Sequence, residues 1–122
     1  MSNKVRTETR GDTTILHVDE RLVLGESDTA LMSAVRAVLE SEKAPKTVID
    51  LSNTQYVDSA GIGSLVQAYT SITSAGGMLA LAGPSKRISD LLKITKLDSV
   101  FPIYGSVDEA IAGLQNTGQP NA

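Results

Sequence analysis

The sequence predicts a single α/β domain, and three observations carry that prediction. Two short apolar runs, Thr47-Val48-Ile49-Asp50-Leu51 and Met78-Leu79-Ala80-Leu81-Ala82, flank a segment with helical spacing. Together they form a strand–helix–strand unit that crosses over right-handedly between parallel neighbours. Apolar residues recur at helical spacing in three further segments, each marked at one end by a Pro or a capping residue. With 122 residues, 41% hydrophobic and 20% charged, the chain suits one packed core that needs neither metal nor disulfide to fold.

Lys4 to Thr9 and Thr13 to Asp19 are rich in Val, Thr, Ile and Leu, and Arg10-Gly11-Asp12 between them reads as the turn of an opening hairpin. Leu31, Val35, Val38 and Leu39 place a helix over about Ser27 to Glu42, with Glu26 and Asp28 at its favourable N-terminal end. Ala44-Pro45 stops it, and Thr47 to Leu51 follows as a strand buried on both faces. A second helix begins near Ser59, carries Ile62, Leu65, Val66, Tyr69 and Ile72 on one stripe, and ends at Gly76-Gly77. Ser85 caps a short third helix that buries Ile88, Leu91 and Leu92. Val100 to Tyr104 is the last strand, and its proline argues for a sheet edge. Ser106 to Glu109 has capping-box spacing, opening a fourth helix whose inward face is Val107, Ala110, Ile111 and Leu114. The domain is expected over 4–115, with a flexible C-terminal tail over 116–122.

Several function classes fall away. The chain has no Cys, which removes thiolate metal sites, a cysteine nucleophile and disulfides. Eleven Lys plus Arg against fourteen Asp plus Glu give a net charge of −3, so there is no basic footprint for nucleic acid. The polar start MSNKVRTETRGD lacks an apolar signal region and no later stretch suits a membrane span, so a cytoplasmic protein is expected. A serine hydrolase would need His17, the sole histidine, as base for Ser59, yet the nucleophile-elbow pattern is absent and His17 sits in strand alternation as a structural or exposed residue. Asp50 and Asp58 are too few oxygen donors for a hard cation. Gly61-Ile62-Gly63 lacks the further residues of a phosphate loop.

The charge map is more telling. From Thr47 to Ser85 only Asp50 and Asp58 are charged. The side of the second helix opposite its apolar stripe offers Ala60, Gly61, Gly63, Ser64, Gln67, Ala68 and Ser71, small and uncharged. Such a face suits the centre of a protein–protein contact, where no ion must be desolvated; the alternative is that it packs inside a larger sheet or simply tolerates Ser and Ala. Ser59, just beyond a parallel strand's C-terminal end, stands at a helix N-terminus. Its hydroxyl there is either a helix cap, worth on the order of 1 kcal/mol, or a group held outward for modification. A phosphate there would be tolerated by the helix start while adding about −1.5 to −2 charges to a neutral contact face.

Four motifs stand out: V-I-D-L-S at 48–52, Y-V-D-S-A-G-I-G-S-L-V at 56–66, G-G-M-L-A-L-A-G at 76–83 and L-L-K-I-T-K-L at 91–97. On these the sequence resembles the STAS domain of bacterial anti-sigma factor antagonists, and the resemblance covers about Lys4 to Leu114. It implies a STAS-like single domain, a mixed four- to five-stranded sheet flanked by about four helices, with no enzymatic activity, catalytic residue, cofactor or metal of its own. It further implies that Ser59 is phosphorylated by an anti-sigma factor that is a serine/threonine kinase, that the unphosphorylated protein binds that kinase and frees a sigma factor, and that a serine phosphatase resets the system. Asp58 would orient the acceptor or meet the kinase; Ala60, Gly61, Gly63, Ser64 and Gln67 would form the partner-binding face, the glycines allowing close approach. Neither nucleic acid nor membrane is an expected partner, and a homodimer is compatible with the reading. Ser64 offers a second hydroxyl, and Lys86-Arg87 stand where a helix disfavours cations, either answering acids on a partner or simply solvated. A non-switching STAS subunit in a signalling or lipid-transport assembly is the alternative.

Overall fold

The computed structural model describes residues 5–117, whose elements follow the expected order with two added strands and a 3-10 turn. Strands β1 (Val5–Arg10) and β2 (Thr13–Val18) form the opening antiparallel hairpin. Then come β3 (Glu20–Leu22), α1 (Glu26–Ser41), β4 (Lys46–Asp50), β5 (Thr54–Val57), α2 (Ser59–Ser74), β6 (Met78–Ala82) and α3 (Lys86–Ile94). A 3-10 turn (Leu97–Ser99), β7 (Ile103–Tyr104) and α4 (Val107–Thr117) complete the described chain. Helix α4 therefore includes the first two residues of the expected tail; 118–122 lie outside the described residues.

Strands run in the order β1-β2-β4-β6-β7, all parallel except β1, so the sheet is mixed and five-stranded. Because side chains alternate across a strand, each central strand supplies both faces. Leu16, Val18, Ile49, Leu51, Leu79 and Leu81 pack under α1, α2 and α3 in the larger core. Ile15, Val48, Ala80 and Ala82 face α4, meeting Ala110 and Leu114. The alanines on β6 let this helix lie close to the sheet.

The helix ends follow local chemistry. Ser85 Oγ accepts from Ile88 N at 3.2 Å to cap α3, and Ser106 Oγ accepts from Glu109 N at 3.1 Å at the start of α4. Gly76 adopts φ +83° after α2, and Gly77 N donates to Ile72 O at 2.9 Å, a left-handed termination that favours glycine.

The last strand is shorter than expected. Val100 N and Phe101 N both donate to Leu97 O at 3.0 Å, so the 3-10 turn uses residues that the β-rich composition assigns to a strand. Pro102 still serves the sheet through its carbonyl, which accepts from Leu81 N at 2.9 Å, and β7 is an edge strand. The two additions, β3 and β5, pair in parallel as a separate two-stranded sheet. That small sheet sets the position of the α2 N-terminus.

Candidate functional site

Strand β5 delivers the chain to Asp58, whose backbone N donates to Leu22 O at 3.2 Å, tying the junction to β3. Asp58 has the extended conformation of an N-cap residue (φ −96°, ψ −174°), and its Oδ1 accepts from Gly61 N at 2.8 Å. Its Oδ2 accepts from Leu24 N at 3.1 Å, so one carboxylate clamps the α2 start to the loop that enters α1. These two backbone N–H groups, Gly61's first and Leu24's second, hold the Asp58 carboxyl below its ordinary range. The cap is thus Asp58, one residue earlier than Ser59. Ser59 is the first residue of α2, it is exposed, and its hydroxyl has no hydrogen-bond partner among the described residues.

Ser59 stands on the rim of an open groove of about 690 Å³ between β5, the first turns of α2, and α3. Its walls are mainly apolar, from Tyr56, Val57, Ile62, Ile88, Leu91 and Ile94. Ile94 is 77% exposed and Tyr56 44%, and Leu24, held beside the junction by Asp58, is 75% exposed. Three of the four large exposed apolar side chains among the described residues therefore border this junction, as an interaction surface requires. The groove's charged groups are Asp58, Arg87 and Asp90, and Asp90 Oδ2 receives Lys86 Nζ at 3.0 Å.

The chemistry of hydrolysis is not assembled here. His17 has both ring nitrogens engaged elsewhere, Nδ1 with Asp50 Oδ2 and Nε2 with Glu8 Oε1, each at 2.6 Å. This acid–imidazole–acid chain crosses β1, β2 and β4, and Asp50 Oδ1 also accepts from Ser52 N at 3.0 Å. Asp50 and Asp58 thus serve different local networks, and no group of three or more His, Asp or Glu among the described residues is placed to hold a metal ion. No helix among those residues is long and apolar enough to cross a membrane.

The family model of the STAS domain matches residues 4–110, nearly the whole chain. The chain belongs to the STAS domain family. A Thermotoga neapolitana protein, described as a candidate anti-sigma factor antagonist, is 36% identical over 57% of this chain and 62% of its own length. The matched region thus spans about three-fifths of that relative. The anti-sigma-B factor antagonist of Listeria monocytogenes is 33% identical over 71% of this chain and 78% of its own. The solved anti-sigma-factor antagonist (STAS) domain protein from Planctomyces limnophilus superposes with a TM-score of 0.81 at 24% identity, over 93% of this chain and 99% of that one.

Within this STAS domain, the small neutral face of α2 divides in two. Gly61, Ser64 and Ala68 are buried, and α2 packs against α1. A Cβ on Gly61 would overlap the Leu22 carbonyl oxygen and come within 2.8 Å of Val57 Cγ1. Gly61 and Ser64 are therefore interior residues of the isolated domain, Gly61 packed against β3 and Ser64 buried at 6% exposure. Gly63 and Gln67 are exposed, and Ala60 is half-buried. No hydrogen bond joins the Asp58 carboxylate to the Ser59 hydroxyl; its two oxygens accept from Leu24 N and Gly61 N. Sequence reading missed Leu24, Tyr56 and Ile94; the available signal was large apolar residues in segments that neither helical stripe absorbs.

The Asp58 clamp has a pH signature. Its folded pKa lies below the unfolded value, so its stabilisation is complete above about pH 4 and lost as pH falls through the folded pKa. Asn retains one accepting oxygen but cannot supply both bonds. Asp58→Asn should therefore melt lower than wild type at neutral pH, the difference shrinking in strong acid. Melting curves that stay parallel throughout acidification would assign the acid sensitivity to other carboxylates.

Proposed function

We propose that this STAS domain is an anti-sigma factor antagonist switched by phosphorylation at Ser59. In the unphosphorylated state it binds an anti-sigma factor that is itself a serine kinase, displacing a cytoplasmic sigma factor. The domain acts by binding, not by catalysis. During modification Ser59 Oγ bonds to the γ-phosphorus of ATP held by the kinase, the bridge to the β-phosphate breaks, ADP leaves, and the hydroxyl proton passes to a base on the kinase. A serine phosphatase reverses the change by hydrolysis.

The observation that carries this reading is the position of the Ser59 hydroxyl: exposed, without an internal partner, on the rim of an apolar groove. A hydroxyl engaged in capping would have to abandon the helix to react; with Asp58 as the cap, Ser59 is free to do so. The name of the Listeria relative supports the same class. The contact surface is centred on Tyr56, Ile94 and Leu24, with Gly63, Gln67 and Ala60 continuing it along α2. Landing on these side chains buries apolar area, and each large one is worth roughly 1.5 to 3 kcal/mol when fully covered.

Incubation with its kinase and Mg-ATP should place a single phosphate on Ser59, located by fragmentation of the peptide and absent from Ser59→Ala. A phosphate found elsewhere removes Ser59 from this role. Binding to the kinase with no modification of any residue would instead make the protein a non-switching STAS scaffold.

A further inference from the structure

We infer that Arg87 is the internal receptor for a phosphate carried on Ser59, so that phosphorylation spans and covers the groove as well as adding charge to its rim. The inference deepens the reading of Ser59 as the acceptor, and its occasion in the cell rests on that reading.

Arg87 and Ser59 line the same groove, Arg87 from α3 and Ser59 from α2. Arg87 is exposed and forms no ion pair among the described residues. The groove's two carboxylates have other partners. Asp90 receives Lys86, and Asp58 accepts Gly61 N and Leu24 N. Arg21 is nearby too, but its guanidinium lies 6.0 Å from the Tyr56 ring centroid, a cation–π placement. Arg87 is thus the groove-lining cation without a partner among the described residues.

Its location gives no structural return. In the first turn of α3 a cation is mildly unfavourable, and a Glu or Asp there would suit the helix better. Phosphoserine supplies what Arg87 lacks: about −1.5 to −2 charges and three acceptor oxygens on a rim whose walls are apolar. Guanidinium matches phosphate through two parallel N–H bonds, and the apolar walls reduce the screening of the pair. Pairing across the groove would draw the Arg87 side chain over part of its apolar walls. The modified residue then competes with a partner for the apolar groove itself. Aspartate at position 59 is shorter and carries one charge, so it should mimic the phosphate only in part.

The test uses the full chain with phosphoserine genetically encoded at position 59, and reads the phosphate by ³¹P NMR during a pH titration. Pairing with Arg87 should hold the second ionisation below the ordinary value of about 6, and Arg87→Ala should raise it by about one unit. Arg87→Lys should restore part of that shift. Lys93→Ala, on the same helix but not lining the groove, should leave it unchanged. Identical titrations with and without Arg87 overturn the inference. Because the phosphate is installed without a kinase, a failure of any kinase to modify Ser59 would count against the proposed function and not against this pairing.

Discussion

Ser59→Ala should bind the kinase partner within about threefold of wild type, while Ser59→Asp binds more than tenfold more weakly and phosphoserine at this position weaker still. Alanine removes one unpaired hydroxyl from the rim of an apolar surface and introduces no charge. Aspartate brings a carboxylate beside Asp58, already clamped, and apolar groove walls, and it is too short to engage Arg87 as fully as a phosphate would, so a partner must strip its water with incomplete compensation. Burying an uncompensated charge at an interface costs roughly 2 to 5 kcal/mol, more than tenfold in affinity even at the low end. Phosphate carries more charge and, through Arg87, occludes the groove. In cells Ser59→Ala would act as a permanently active antagonist. The fold should be indifferent to these changes, since an acid in the first turn of a helix is favourable and the stability change stays within about 1 kcal/mol. Calorimetric titration with parallel melting curves separates loss of contact from loss of fold. Equal affinities for wild type and Ser59→Asp, with both folded, would show that charge at position 59 is not the switch.

How much of this was legible in the sequence depends on the range of the interactions involved. The β1–β2 hairpin, the β4–α2–β6 crossover and the caps at Ser85 and Ser106 are local, and periodicity with turn chemistry is enough to place them. The α/β class follows from those elements, and the mixed sheet from the family resemblance. Strands β3 and β5 were not legible because they have three and four residues, too few for a period to show, and they pair only with each other. Their pairing depends on long-range contacts such as Thr54 Oγ1 donating to Val18 O at 2.9 Å. Whether Ser59 capped α2 or held its hydroxyl outward stayed open in the sequence for a related reason, and the structure puts the cap on Asp58. Both residue types cap helices well, and what decides between them is the second bond from Leu24 N, 34 positions away. The groove is less legible still. Tyr56 and Ile94 are distant in sequence, and only the packing of α3 beside β5 turns two isolated apolar residues into one surface.

Gly61→Ala should lower stability by about 3 kcal/mol, and Gly63→Ala should raise it by up to about 1 kcal/mol, although the two glycines lie two positions apart on one helix. The sequence treats them alike: both are small, both belong to the uncharged face, and alanine is the better helix former at either. Packing separates them. At Gly61 the new Cβ would overlap the Leu22 carbonyl oxygen, and Val57 Cγ1 would lie 2.8 Å away. The carbonyl belongs to β3 and receives the Asp58 N–H, so it cannot retreat without loosening the small sheet and the cap together. At Gly63 nothing lies within 4 Å of the added carbon, leaving only the gain in helix propensity. Gly61→Ala should therefore melt about 10 °C lower than wild type, and Gly63→Ala slightly higher. If the two substitutions shift the melting temperature equally, the close approach of α2 to β3 is not what positions the Ser59 turn. If they shift it oppositely, the neutral face of α2 has an interior half built on Gly61 and an exposed half to which Gly63 belongs.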